Sequence, residues 1–223
     1  MLAVGGPTGY RSQKTPAAHG RPIPEALGGG ERTGPGSRGQ PMIEDQFFER
    51  IDPLLREFGA LPEDGEEFRT PALDVLRYYY RPMRLHWAPF FGRGLSVVVV
   101  ARQPVDVELS ADGYRTLLTR VAMAANGRFP VTFANGVALG LTVVSLTPEP
   151  IGPGDDAVLR AVVNGRPLPR LRAVPLGVIR VNLGQEALSF ALASGPVGAF
   201  PEPIALADAL TPHFRRFVPL LEV

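Results

Sequence analysis

Residues 95–101 read Leu95-Ser96-Val97-Val98-Val99-Val100-Ala101. Four consecutive β-branched valines favour extended backbone, and the run lacks the in-out alternation of a strand with one wet face. It is entered through Gly92-Arg93-Gly94 and left through Arg102-Gln103-Pro104. A stretch this short and apolar, with such borders, reads as a strand buried on both faces. A strand of that kind requires layers above and below its sheet.

Downstream, Val105, Val107 and Leu109 alternate with polar residues and are candidates to extend the strand past Pro104. Ser110 or Asp112 suits the N-cap of a helix whose apolar face is Tyr114, Leu117, Leu118, Val121, Ala122 and Ala125. Asn126-Gly127 closes it. Residues 137–146 are a second long apolar strand. Gly152-Pro153-Gly154 then leads to Asp155 and Asp156, whose charges suit the start of a third helix. That helix stops at Asn164-Gly165. Residues 178–183 and 187–193 predict two further strands, antiparallel across Gly184-Gln185. Residues 204–217 predict closing helical segments interrupted at Thr211-Pro212.

Strand, helix, strand, helix, strand is the alternation of crossover units. The expected fold is therefore α/β: a layered domain with a mixed, largely parallel sheet of about four to five strands flanked by helices. The alternative is α+β with an antiparallel sheet.

Upstream of residue 95, Phe47, Phe48, Ile51, Leu54, Leu55 and Phe58 form a helical stripe. Asp52-Pro53 is expected to kink or split that helix, and Gly59 to end it. Residues 61–69 read as an acidic turn, and residues 71–79 as a short helix. Residues 1–41 hold ten glycines and six prolines with few large apolar side chains. Such a segment cannot offset its ordering entropy and is expected to be a disordered tail before a globular domain at 42–223. Met42, where helical periodicity begins, is a second candidate start of translation.

The 223 residues carry a net charge of +1, with five basic and two acidic residues in 1–41 and a slight acidic excess in 42–223. That balance argues against a dedicated nucleic-acid binder. Lys14 is the sole lysine, so Schiff-base chemistry is excluded from the folded part. The arginine bias, beside abundant alanine, glycine and proline, matches a GC-rich genome. Cysteine is absent, which removes disulfides, thiolate metal sites and cysteine nucleophiles. No apolar window approaches the ~18–20 residues that span a bilayer, and the expected compartment is the cytoplasm.

Phosphate-binding, dinucleotide-binding and nucleophile-elbow motifs are missing. His86 and His213 are far apart, and neither a metal site nor a cofactor is expected. If the crossover units are parallel, ligands belong at the carboxyl ends of the strands. Those ends collect Arg102, Gln103 and Asp106, then Thr147, Glu149, Asp155 and Asp156, then Asn182, Gln185 and Glu186. Arg102, Glu149, Asp155, Asp156 and Glu186 are the candidate catalytic residues of a hydrolase or transferase, with acid–base or divalent-metal chemistry through carboxylates. The same residues also serve as ordinary caps, turns and ion pairs.

The second candidate surface is Tyr78, Tyr79, Tyr80, Arg81, Arg84 and Trp87. Three readings are open for it. The aromatics cover one face of the sheet while the arginines pair with the acidic turn at 63–67. The stretch is a protein-contact surface, since Tyr, Trp and Arg dominate interface hot spots. Or it stacks nucleobases, against which the acidic core counts. The functional expectation is a non-catalytic protein–protein interaction module with a protein partner, no membrane association and no nucleic acid; the strand-end enzyme is the alternative.

Overall fold

The computed structural model describes residues 42–83, 93–129, 137–163, 166–168, 171, 173–193 and 200–216. Among them the elements are α1 (Glu44–Glu57), β1 (Leu61–Asp64), a 3-10 turn (Gly65–Phe68), β2 (Asp74–Met83), β3 (Arg93–Arg102), α2 (Ala111–Arg128), β4 (Val137–Leu146), α3 (Asp155–Val162), β5 (Ala173–Asn182), β6 (Ala187–Leu192), α4 (Glu202–Leu210) and β7 (Arg215–Arg216). The strands form one mixed sheet in the order β1-β2-β3-β4-β5-β6-β7. β3, β4 and β5 run parallel, as do β6 and β7; β1–β2, β2–β3 and β5–β6 are antiparallel.

The valine run becomes β3, an interior strand. Its alternate residues feed two cores. Leu95, Val97, Val99 and Ala101 join Tyr114, Leu117, Leu118 and Val121 of α2 and Leu159 and Val162 of α3. Val98 and Val100 join Phe47, Ile51 and Leu55 of α1 and Leu206 and Leu210 of α4. The two crossovers β3-α2-β4 and β4-α3-β5 proceed in the same direction along the sheet, so right-handed connections place both helices on one face. α2 and α3 touch each other, and α1 touches α4 on the other face. The result is a three-layer α/β architecture.

Local signals account for the element ends. Ser110 caps α2, its Oγ accepting from the Gly113 amide at 3.0 Å. α1 closes with Gly59 at φ 75°, Gly59 N donating to Arg56 O at 2.8 Å and Ala60 N to Leu55 O at 3.0 Å. That paired pattern needs a left-handed residue, which glycine adopts at little cost.

The sheet has seven strands where four to five were expected, and half of its pairings are antiparallel. The extra strands come mainly from residues 61–83. The expected acidic turn holds β1 and the 3-10 turn, and the expected helix at 71–79 is the start of β2. Tyr78-Tyr79-Tyr80 fits a pleated strand better than a helix, because bulky aromatics lose χ1 freedom against a helical turn. α1 is continuous through Pro53. Val105 and Val107 do not extend β3: Pro104 begins a turn in which Val107 N donates to its carbonyl at 3.0 Å, leaving Val105 fully exposed. Arg215 and Arg216 form a strand in place of helix. The expected tail at 1–41 lies outside the described residues. No helix among the described residues is long and apolar enough to cross a membrane.

Gly65 is buried where the 3-10 turn meets β2, and a Cβ there would run into the carbonyl of Val75. Since the obstruction is backbone, Gly65→Ala is expected to lose about 1–3 kcal/mol. Urea denaturation followed by circular dichroism checks this; an unshifted midpoint would show that the turn yields freely.

Candidate functional site

The parallel middle of the sheet brings together part of the strand-end set, Gln103, Glu149, Asp155, Asn182 and Gln185. Gln103 N, just past β3, donates to Leu146 O at 2.7 Å, and Thr147 N, just past β4, to Val181 O at 2.9 Å. On the α2/α3 face the centre of the gathering is a residue absent from the sequence-based candidates. Arg180 of β5 is fully buried, at 0% exposure. Its Nη1 donates to Asp155 Oδ2 at 2.5 Å and to Pro150 O at 3.1 Å, and its Nη2 to Glu149 Oε2 at 2.8 Å. Gln103 Oε1 accepts from the Tyr114 hydroxyl at 3.0 Å, and Gln103 Nε2 donates to Glu149 Oε2 at 3.3 Å. Asn182 Nδ2 donates to Glu149 O at 2.8 Å, and Asn182 Oδ1 accepts from Gln185 N at 2.8 Å. Gln185 Oε1 in turn accepts from Ile151 N at 3.0 Å.

The candidate acids thus fall into different environments. Asp155 is buried against Arg180. Asp156 points elsewhere, accepting from Ser189 Oγ at 2.6 Å, Phe190 N at 3.1 Å and Arg216 Nη2 at 2.8 Å. Glu149 is half-exposed, with 51% of its side chain accessible. Glu186 is exposed in the β5–β6 turn at φ 50°, and its carbonyl accepts from Arg215 N at 2.6 Å. Arg102 lies on the α1/α4 face. It donates twice to Glu44 at 2.9 Å and once to Asp74 at 2.8 Å. Asp106 turns away to Arg120.

Beside the network, on the α1 side, a groove of about 570 Å³ opens over the strand ends. Glu44, Arg102, Gln103, Leu146, Thr147, Pro148, Asn182, Leu183 and Gly184 line it. Leu146 and Leu183 belong to the α1/α4 core and make its apolar floor. The polar liners Glu44, Arg102, Gln103 and Asn182 already have protein partners. Among the described residues no group of three His, Cys, Asp or Glu side chains is placed to hold a metal ion.

The tyrosine stretch divides between the two cores. Tyr78 is buried against Phe68, ring centroids 4.3 Å apart. Tyr79 faces the other way, is fully buried, and donates from its hydroxyl to Asp52 Oδ1 at 2.5 Å. Arg77 Nη1 bonds the other Asp52 oxygen at 2.6 Å and stacks over Phe48 at 4.1 Å. Tyr80 is half-buried beside Phe129. Arg81 pairs with Glu202, not with the acidic residues at 63–67; Glu67 is met instead by Arg128 at 2.5 Å. Packing over the sheet thus describes Tyr78 and Tyr79, but on opposite faces where a single face was expected. Arg84 and Trp87 lie outside the described residues.

Arg180 had one visible signal in the sequence, a charge inside the apolar run Val178-Ile179-Arg180-Val181. A buried cation of that kind requires partners. Arg180→Met is expected to lose about 3–5 kcal/mol, because Asp155 stays buried without its cation. Glu149→Gln is expected to cost under about 1 kcal/mol, because the carboxylate is half in water. Equal losses in urea titrations would show Glu149 to be as structural as Asp155.

Burial pushes the Tyr114 phenol from 10.0 up to about 12, against the opposing pull of the Arg180 charge. A phenol that ionises later in the folded chain stabilises the fold fully below pH 10.0, and that contribution is lost as pH rises towards about 12. Burial raises Tyr79 as well. Stability is therefore expected to fall across this window, less steeply in Tyr114→Phe than in the parent; parallel profiles would overturn the assignment. No family model, curated protein or solved structure matches the chain.

Proposed function

We propose that residues 42–223 are a non-catalytic protein–protein interaction module of the cytoplasm. The observation that supports this reading is the internal engagement of the strand-end acids. Asp155 and Asp156, two of the candidate acids, are 6% and 3% exposed and bonded to Arg180, Ser189, Phe190 and Arg216. A general acid or base has to reach a substrate proton, and these two are turned into the protein.

The groove over the strand ends is the surface that fits the role. It has an apolar floor in Leu146 and Leu183 and a rim of polar side chains that already have partners, the anatomy of a contact patch. Ile43, beside the lining residue Glu44, is 56% exposed, and Val105 follows Gln103 by two residues, fully exposed. A protein segment offering an apolar side chain suits such a groove. This moves the contact surface away from Tyr78 and Tyr79, which are buried.

One observation favours the second reading, a hydrolase or transferase. The groove lies at the carboxyl ends of β3, β4 and β5, where parallel sheets place ligands, and Glu149 beside it keeps half its side chain in solvent. Affinity capture with the full chain, Leu183→Asp and Glu149→Gln separates the two. A stoichiometric protein partner retained by the parent and Glu149→Gln but lost from a folded Leu183→Asp is the expected result. Turnover of a substrate, or stabilisation by a metal ion or nucleotide, that vanishes in Glu149→Gln without any groove-dependent partner would overturn it.

A further inference from the structure

Two glycines bring the start of α4 down onto the sheet. A Cβ on Gly177 would stand 3.2 Å from Pro203 Cβ, and one on Gly140 would stand 2.6 Å from the Phe200 ring. Phe200 and Pro203 therefore rest against sheet backbone, and Glu202 between them, in the first turn of α4, is carried to the sheet surface with 0% exposure. Its Oε1 accepts from Arg81 Nε at 2.6 Å. Among the described residues its Oε2 has no partner, and neither has Arg81 Nη2.

The neighbouring strand positions repeat the anomaly. Ser96 is paired with Arg81 across β2–β3 and with Gly140 across β3–β4. Thr142 is two residues beyond Gly140 on the same face, its methyl 3.5 Å from the position of a Gly177 Cβ. Ser96 Oγ and Thr142 Oγ1 are buried and also have no partner among the described residues. Four orphaned polar atoms thus share one patch of sheet near the first turn of α4.

Buried polar groups are bonded in nearly all native proteins, and each exception calls for a cause. The charges here select the cause. An anion would meet Glu202 and a cation would meet Arg81, so the complement is neutral and must both accept and donate. We propose that this patch is a built site for a hydroxyl group, which accepts from Arg81 Nη2 and donates to Glu202 Oε2, with Ser96 and Thr142 as further partners. Water and a small polyol share that chemistry. Arg81 is the side of entry, its side chain 21% exposed where that of Glu202 is 1%. The site is independent of the groove and of the function proposed for it.

Thr142→Val in the full chain keeps the side-chain shape and removes the hydroxyl. If the patch is occupied, the change deletes a hydrogen bond and the melting temperature falls, by about 2–4 °C for a loss near 1 kcal/mol in a domain this size. If the patch is dry, the change removes an orphaned group and the melting temperature rises; a rise, or no change, overturns the proposal. Ser96→Ala is read for the same sign. Glycerol, erythritol and myo-inositol, at millimolar concentrations below those at which polyols stabilise proteins by exclusion, identify the source. A rise in the parent that is absent in Thr142→Val and Glu202→Gln assigns a polyol. Unmoved melting temperatures, with crystallographic density for water bridging Arg81 and Glu202, assign water. A crystal structure with no density bridging these groups overturns the site.

Discussion

The guanidinium of Arg180 sets the geometry of the β4–α3 connection at the strand-end edge. Removing a cation from water costs several kcal/mol after relaxation, and only well-placed acceptors offset it. Its fork supplies donors in several directions at once, so the β4–α3 connection passes over it, giving Glu149, the Pro150 carbonyl and then Asp155 at the head of α3. Glu149 and Asp155 stand where this one buried charge needs them. The same arrangement recurs on the other face in Arg77–Asp52–Tyr79 and Arg81–Glu202. A lysine could not replace these forks, because a point charge on a flexible stem lacks their fixed directions.

Sheet order explains why the accessible groove lies where it does. In doubly wound sheets the crevice forms where strand order reverses and neighbouring crossovers diverge to opposite faces. Here β3, β4 and β5 follow in sequence, so α2 and α3 stay together on one face and leave no divergence between them. The groove opens on the opposite face, between the start of α1 and the β5–β6 turn.

Elements governed by local chemistry were legible in the sequence: the valine strand, the Ser110-capped α2, the aspartates opening α3 and the β5–β6 turn. Residues 71–83 were not, because their extended state depends on pairing with β1 and β3, and the alternation of Tyr78 and Tyr79 has meaning only once both faces of the sheet are covered. The strand-end grouping could be read from the crossover pattern only in part: Glu149 and Asp155 share Arg180, whereas Arg102 and Asp156 are engaged elsewhere and Glu186 is exposed. The partner that engages them could not, because Arg180 was hidden in an apolar run. Nor could the fate of Arg81, whose carboxylate lies 121 positions away at Glu202. Long-range ion pairs have no spacing rule by which a sequence can announce them.

The consecutive order of the sheet also has a temporal side. Each strand pairs with its neighbour in the chain, so a ribosome delivers the strands in the order in which they dock, and the α2/α3 layer is complete once β6 has emerged. The opposite layer has to wait. α1 is made before the other described elements, but its partners Leu206, Leu210 and Phe214 are among the last residues described. During synthesis the apolar stripe of α1 and one face of the nascent sheet stand without their final cover, and this half of the molecule is the one that has most need of a chaperone's shelter.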